Sequence, residues 1–359
     1  MASILRTLAV VVAISAFTDV LLAAEAKAAE ITAIKPPALR PGDTVALLAP
    51  AGSVSKKKVG EAARNIEKRG YRVRIFPNAY GARGYLAGDD SSRAKDLNMA
   101  FGDPEVRMIL CLRGGYGSPR ILPLIDFDRI RKNPKIFVGY SDITALLIAI
   151  RQKAGLVTFH GPMAMADFSG KWGLAPFSAK HFWSLLEMPE NPRRVDAALY
   201  SDWGGSPPKK MPVPRTLAPG VAEGKLIGGN LSTLVALMGT PYEIDTRDAI
   251  LVLEDVNEEP FRIDRMLCQL EMSGKLRECR GVVLGGFTRC VPKNKRPSLK
   301  VEEVIDDYLG GLGVPVLTNY PSGHLPQQAT LPIGSMVRLD ADARTLSLLE
   351  VPVDTRMGK

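Results

Sequence analysis

The sequence predicts a protein of the α/β class, with a parallel sheet in the N-terminal half and a smaller β-rich domain after it. In the N-terminal half, strand-like apolar runs alternate with helix-like stretches, which is typical of βαβ units. In the C-terminal half, short apolar runs are separated by turn residues. The chain has 359 residues, more than one core usually serves, so two domains are expected.

The N-terminal elements are predicted in order from apolar runs and the turns that end them. The predicted strands are Thr44–Ala49, Tyr71–Phe76, Arg107–Leu112 and Ile136–Gly139. Helices are predicted at Val54–Arg69, at Ser91–Phe101 and from near Ser141 to about Gly155. Ligands of such sheets bind beyond the carboxyl ends of the strands, so the loops that follow the strands are the first candidates for a site.

The remaining chain divides by composition. Residues 166–222 hold all three tryptophans and many prolines, and Glu190–Pro219 reads as a linker or a long surface loop. The predicted domains are therefore residues 40–165 and 223–359, with 166–222 as linker and loops. The later strands and the single predicted helix of the second domain are Ile250–Leu253, Gly281–Phe287, Val314–Leu317, Ser335–Asp340, Thr345–Leu349 and Arg262–Ser273.

Residues 1–28 are predicted to be a cleaved export signal. Arg6 precedes an apolar run from Leu8 to Phe17, and Ala26-Lys27-Ala28 forms a small-x-small cleavage site. Asp19 interrupts the apolar stretch before about 20 residues accumulate, so it is too short to cross a bilayer. The expected location is periplasmic, with no membrane association beyond export.

Charge and cysteine content exclude several classes of protein. The net charge is +9, but no basic arm or aromatic-interleaved basic stripe accompanies it, so no nucleic-acid partner is predicted. The four cysteines lack CxxC spacing, and we predict no metal site. Cys279 and Cys290 bracket one strand and stand too far apart for a disulfide, whereas a Cys268–Cys279 bond stays open.

Ser141 is the most suggestive single residue. It follows the strand Ile136–Gly139 at a strand-to-helix junction, the geometry of a nucleophile elbow. Ser is also a favoured helix N-cap, and the second glycine of G-x-S-x-G is absent, so the two interpretations weigh about equally. Arg113-Gly114-Gly115 forms a neighbouring turn that suits a nucleophile better than a dinucleotide.

The acid and base candidates are few. Glu254 ends an apolar strand and suits the third position of a triad. Of the three histidines, His181 is predicted to be a packing or surface residue and His160 to line a cleft at a strand end. His324 lies in an irregular loop between two strands, where catalytic groups concentrate. Taken alone, each histidine is more readily structural than catalytic.

Five motifs in order give a resemblance that single residues do not. These are Leu112-Arg113-Gly114-Gly115-Tyr116-Gly117, Gly139-Tyr140-Ser141-Asp142, Glu223-Gly224-x-x-x-Gly228-Gly229-Asn230-Leu231, Leu253-Glu254-Asp255-x-x-Glu258-x-Pro260-Phe261-Arg262-Ile263-Asp264-Arg265 and Gly323-His324. Together they resemble the LD-carboxypeptidase family of serine peptidases, which includes the microcin-C immunity peptidases. The resemblance spans roughly residues 40 to 350.

The resemblance implies roles for individual residues. Ser141 falls on the family's nucleophile, Glu254 on its glutamate and His324 on its histidine. The oxyanion donors would be the backbone amides of Asp142 and Gly115. It also implies a Rossmann-like N-terminal domain, catalysis at the domain interface, a homodimer, and no metal or organic cofactor.

The implied reaction is release of terminal D-Ala from murein tetrapeptides by acyl transfer to serine. A carboxypeptidase must recognise a free carboxylate, for which Arg113 and Asn230 are the candidate substrate-binding residues. Two alternatives stay open: an immunity peptidase that cleaves peptidyl-nucleotide amides, and a murein-binding protein without catalysis. The export signal disfavours the first, because such toxins are processed inside the cell, and the retained Ser141, Glu254 and His324 disfavour the second.

Overall fold

Two β-sheets organise the chain in the computed structural model, which describes residues 33–187, 211–294 and 296–356. The predicted export signal and most of the Glu190–Pro219 linker lie outside these residues. All the described residues belong to one contact unit. Their strands are β1 (Thr44–Leu48), β2 (Arg72–Ile75), β3 (Val106–Cys111), β4 (Ile136–Gly139), β5 (Thr158–His160), β6 (Arg215–Ala218), β7 (Val221–Asn230), β8 (Ala249–Val256), β9 (Gly281–Thr288), β10 (Val316–Thr318), β11 (Leu331–Ile333), β12 (Met336–Asp340) and β13 (Thr345–Leu348).

The first sheet has the order β11-β5-β4-β3-β1-β2. Strands β1 to β5 pair in parallel, and β11 adds antiparallel to β5. Successive residues of β4 enter different cores: Ile136 and Val138 pack in one cluster, Phe137 in the other. Because side chains alternate across a strand, this pattern shows that both faces of the sheet are covered.

Helices connect the strands of both sheets. They are α1 (Lys56–Lys68), α2 (Asp90–Gly102), α3 (Ser118–Ile121), α4 (Phe127–Lys132), α5 (Thr144–Ala154), α6 (Ala164–Asp167), α7 (Pro176–Glu187), α8 (Leu231–Ala236), α9 (Pro260–Met272) and α10 (Val301–Leu309). Of these, α1 to α7 precede strand β6 in the chain. The side chain of Asp89 caps α2 by accepting from the Ser92 amide, and Gly155 in the left-handed region ends α5.

The second sheet is mixed, with the order β13-β12-β7-β8-β9-β10-β6. Its central strands β7, β8, β9 and β10 run parallel. Strands β6 and β12 add antiparallel to β10 and β7, and β13 pairs antiparallel with β12. A separate β-rich unit after the parallel N-terminal sheet confirms the predicted fold class.

The stretch 166–222, expected to be linker and loops, contains helix α7 and strand β6, so the prediction is wrong for Pro176–Glu187 and Arg215–Ala218. Trp183 of α7 is buried and stacks on Tyr71 with ring centroids 5.3 Å apart, while Phe182 is fully buried. The proline-rich composition of residues 166–222 concealed this helix, because its apolar face belongs to the first domain's core.

No helix among the described residues is long and apolar enough to cross a membrane. Cys111, Cys268, Cys279 and Cys290 are all free thiols, so the Cys268–Cys279 disulfide left open by the sequence is not formed. Within the same described ranges, no group of three or more His, Cys, Asp or Glu side chains is arranged to hold a metal ion.

Candidate active site

Ser141 lies directly beyond the carboxyl end of β4, with φ of +63°. A non-glycine residue in this region is uncommon, and a strained serine between strand and helix is the geometry of a nucleophile elbow. No side-chain cap closes either the 3₁₀ turn Ser141–Ile143 or α5. The helix-capping interpretation of Ser141 therefore finds no support in the hydrogen bonds.

Gly139 makes the tight turn possible without a second glycine. A Cβ placed on Gly139 would lie 2.6 Å from Cγ2 of Ile143, closer than real contacts allow. Ile143 occupies the place of the second glycine in G-x-S-x-G, and its side chain fills the space above Gly139. One glycine two residues before the serine is thus sufficient here.

The predicted glycine turn packs directly against Ser141. A Cβ on Gly114 would lie 3.1 Å from the Ser141 Oγ and 3.2 Å from the Asp142 amide nitrogen. The next residue, Gly115, has φ of +106°, a conformation that favours glycine. The structure therefore brings the Gly114-Gly115 turn against the serine and the Asp142 amide, while the oxyanion role of Gly115 stays a prediction.

Asp142 fastens this corner through its side chain. Its Oδ2 accepts hydrogen bonds from the amide (2.8 Å) and the hydroxyl (2.7 Å) of Ser118, at the start of α3. Burial raises the pKa of Asp142, although these hydrogen bonds oppose the rise. The carboxylate holds α3 against the elbow and leaves the Asp142 backbone as the part that faces the turn.

Glu254 and His324 form a hydrogen-bonded pair. Glu254 lies near the end of β8 and is fully buried, and its Oε2 lies 2.7 Å from Nδ1 of His324 and 3.2 Å from the His324 amide nitrogen. Gly323 has φ of +87°, and any side chain there would overlap the Glu254 carboxyl. Nε2 is therefore the imidazole nitrogen left to meet another group.

Tyr140 connects this pair to the serine. The residue immediately precedes Ser141, and its ring packs edge-on against the His324 imidazole with centroids 4.9 Å apart. A residue of the first sheet's elbow thus lies against a residue of the loop after β10. The structure brings Ser141, Glu254 and His324 to the same seam between the two sheets.

The surroundings of the pair favour the negatively charged form of Glu254 and the positively charged form of His324. Burial by itself would raise the pKa of Glu254, but the neighbouring imidazoles of His160 and His324 lower it to about 2. Burial by itself would lower the pKa of His324, but the hydrogen bond with Glu254 and its negative charge raise it overall. Glu254 is therefore ionised at neutral pH and favours an imidazolium at His324.

Arg113 lies beside the glycine turn. Its Nη1 donates to the Ser53 carbonyl at 3.2 Å, and its guanidinium borders Gly52 and Gly115. Within the part of the chain that the structure describes, no carboxylate forms an ion pair with it. The cationic group next to the elbow is thus available to an anion.

Asn230 has a supporting role in the structure. It is buried at the end of β7, in register with Glu254, and its Oδ1 accepts from the amide and hydroxyl of Thr233 to cap α8. Its Nδ2 donates to Asp255 at 3.2 Å. The substrate contact assigned to Asn230 stays a prediction, since only one amide hydrogen is left for it.

Two neighbours of the pair were given no catalytic role by the sequence analysis. His160, fully buried at the end of β5, places its Nε2 3.8 Å from Oε1 of Glu254. Asp167, at the end of α6, accepts from the Met163 amide, and burial raises the pKa of its carboxyl to about 6. The position of His160 at the end of a parallel strand was the signal that placed it near a cleft.

Comparison with known proteins identifies the family of the chain. Residues 45–161 match the family described as LD-carboxypeptidase N-terminal domain, and residues 223–339 match its C-terminal domain. A probable murein peptide carboxypeptidase of Bacillus subtilis is 42% identical over 311 residues, which cover 87% of this chain and 93% of the relative. The chain belongs to the LD-carboxypeptidase family.

Solved structures of the family share the fold. The microcin C7 self-immunity protein MccF in complex with glutamyl sulfamoyl guanosine superposes with a TM-score of 0.77 at 26% identity, covering 89% of this chain and 99% of the other. The muramoyltetrapeptide carboxypeptidase of Oxalobacter formigenes superposes with a TM-score of 0.70 at 30% identity, covering 85% and 97%. This LD-carboxypeptidase family member thus resembles proteins named for microcin C7 self-immunity and for muramoyltetrapeptide carboxypeptidase activity.

Proposed function

We propose that this chain is a serine-type LD-carboxypeptidase that releases terminal D-Ala from murein tetrapeptides. The observation that carries the proposal is the 2.7 Å contact between Glu254 Oε2 and His324 Nδ1. The imidazole ring of His324 packs against Tyr140, which directly precedes the strained Ser141. The relatives named for murein peptide and muramoyltetrapeptide substrates support this choice of substrate.

The chemistry follows from the order of these groups. His324 Nε2 accepts the proton of Ser141 Oγ as the oxygen attacks the carbonyl carbon of the L,D-amide. The imidazolium then donates that proton to the departing amine of D-Ala, and water repeats the sequence to release the acyl group. Glu254 holds the proton on Nδ1 of His324 and stabilises the imidazolium between the two transfers.

Two further groups complete the proposal. The backbone amides of Gly115 and Asp142 stabilise the tetrahedral oxyanion, a contribution worth about 3–4 kcal/mol per donor in other serine hydrolases. Arg113 binds the free carboxylate of D-Ala. The substrate's C-terminal carboxylate then lies beside the glycine turn, as the specificity of an exopeptidase requires. Arg113→Gln is then expected to raise KM more than it lowers kcat.

The test is D-Ala release from a purified murein tetrapeptide, followed by mass spectrometry. Ser141→Ala should abolish release while leaving the far-ultraviolet circular dichroism unchanged. Ser184→Ala, which removes an exposed hydroxyl on α7, is the matched control and should keep full activity. Release of D-Ala by Ser141→Ala at the normal rate would rule out the triad assignment. If the unmodified chain binds the peptide without releasing D-Ala, a non-catalytic role is favoured.

An immunity-type peptidase is the second candidate, because MccF in complex with an aminoacyl sulfamoyl nucleoside is a close structural neighbour. Incubation of the same protein with aspartyl sulfamoyl adenosine and with murein tetrapeptide separates the two. Cleavage of the tetrapeptide alone supports the murein activity, and cleavage of the nucleoside amide alone supports immunity.

The proposed setting is the periplasm, as a homodimer. A fusion of residues 1–28 to an export reporter should deliver it across the inner membrane, and an intact Ala28–Ala29 bond in the recovered full-length chain would contradict cleavage. Sedimentation equilibrium of the chain from residue 29 should give twice the monomer mass.

A further inference from the structure

His160 faces the side of Glu254 that His324 does not use. Both side chains are fully buried, and the His160 Nε2 lies 3.8 Å from Glu254 Oε1. Oε2 of the same carboxylate bonds to His324. One buried carboxylate thus lies between two imidazoles, one from each sheet's edge of the seam.

Neither facing atom has another partner. Among the described residues, His160 Nε2 and Glu254 Oε1 are buried and make no hydrogen bond. Leaving two such groups unpaired is costly, and a shift of less than 1 Å would join them. Contacts of this kind are often long in a free enzyme and shorten when the reacting complex forms.

The other nitrogen of His160 has a partner that allows the tautomer with the proton on Nε2. Nδ1 lies 3.4 Å from the buried Ser322 hydroxyl, which is able to donate to it. If Nδ1 accepts, the proton resides on Nε2 and points at Glu254. The ring is also confined, since a Cβ on Gly229 would lie 3.3 Å from His160 Cδ2.

We propose that His160 is a positioning residue. Its Nε2–H donates a hydrogen bond to Glu254 Oε1 and so limits how strongly Glu254 attracts the proton of His324. This inference rests on the proposed function. It gives a chain of hydrogen bonds from the Ser322 hydroxyl through His160 and Glu254 to His324. Without the donor, the negative charge of Glu254 would be less shared, and the imidazolium of His324 would become more stable.

The sign of the effect follows directly. An imidazole must be neutral to accept the serine proton, so activity falls as pH drops through the pKa of His324. Loss of the His160 donor raises that pKa and moves the acid limb of kcat/KM to higher pH. The other titratable side chains around the pair are Tyr140, Asp167, Asp255 and Cys290, and none of them is substituted in the variants below.

The experiment compares pH profiles of tetrapeptide cleavage by His160→Phe, His160→Gln and Ser322→Ala. His160→Phe keeps a ring but no donor, and should move the acid limb up by about half a pH unit or more, with activity recovering at alkaline pH. His160→Gln keeps an amide donor and should retain a limb close to that of the unmodified protein. Ser322→Ala should shift the limb in the same direction by less.

A merely structural histidine would behave differently. His181→Phe is the matched control, because this ring packs on Phe177 of the same helix rather than on Glu254, and its acid limb should not move. A folded His160→Phe with an unmoved limb would overturn the inference, as would equal shifts in the Phe and Gln variants. If His160→Phe does not fold, an unmoved limb in Ser322→Ala has the same meaning. Full activity in Ser141→Ala would instead refute the proposed function, so the two failures are distinguishable.

Discussion

Glu254 controls the basicity of His324, and the pH profile should report it. The hydrogen bond and charge of Glu254 raise the pKa of His324 against burial, so the acid limb of kcat/KM is expected above the ordinary histidine value of about 6.5. Glu254→Gln removes the charge and leaves the burial, so the limb should fall below that value. The variant should also lose roughly 10³- to 10⁴-fold in kcat, as carboxylate-to-amide changes do in triads. A limb unchanged in Glu254→Gln would contradict the pairing.

Asp167 is expected to destabilise the fold at neutral pH. Burial raises the pKa of its carboxyl to about 6 in the folded state, against about 3.9 in the unfolded chain. The folded state therefore binds the proton more tightly, and stability falls as pH rises from about 4 to about 6. Asp167→Asn keeps an acceptor for the Met163 amide and should raise the free energy of unfolding by about 2 kcal/mol at pH 8, with little gain at pH 4. Urea titration at both pH values checks this, and equal changes at the two would contradict it.

The sequence identifies part of this site and misses another part for a physical reason. Ser141, Glu254 and His324 are selected by the family resemblance of the ordered motifs. From local pattern alone, Ser141 is equally a helix cap, and His324 is not preferred to His160. His160 also ends a strand, but its role depends on which side of a buried carboxylate it faces. That depends on the packing of β5 against β8 across the seam, which no local pattern records.

The glycine turn between β3 and α3 should set the rate through contact with the nucleophile. Gly114 does not have a positive φ, yet a Cβ there would meet Ser141 Cβ at 2.9 Å and Oγ at 3.1 Å. Gly114→Ala should therefore displace the turn from the elbow and lower kcat by about 10²-fold, the loss typical of one misplaced oxyanion donor. Gly311→Ala is the matched control, because nothing lies within 4 Å of its Cβ position. Equal kcat values in the two variants would show that the turn has no part in the reaction.

The architecture is predictable from sequence up to the point where the two halves share a sheet. Strands β6 and β7 and helices α8 and α10 were missed, whereas the alternation of β1 to β4 with helices and the strands β8, β9, β10, β12 and β13 were predicted from apolar runs and turn residues. The pairing of β11 with β5 was not, because Leu331–Ile333 is three residues long and its partner lies about 170 positions earlier in the chain. Such a short strand carries no periodic signal of its own.

This shared strand predicts that the two halves unfold together. Ile333 of β11 is fully buried in the same hydrophobic cluster as Phe159 of β5 and Leu251 of β8. Ile333→Ala should therefore cost about 2–5 kcal/mol, and the loss should appear equally in both halves. Tryptophan fluorescence, dominated by residues of the first half such as Trp183, and far-ultraviolet circular dichroism should give coincident urea transitions in the unmodified chain and in the variant. Leu349→Ala, at an exposed position, is the control and should change the midpoint little. A shared core and sheet edge are expected to give one cooperative unit. Two separated transitions would contradict this and show that the halves fold independently.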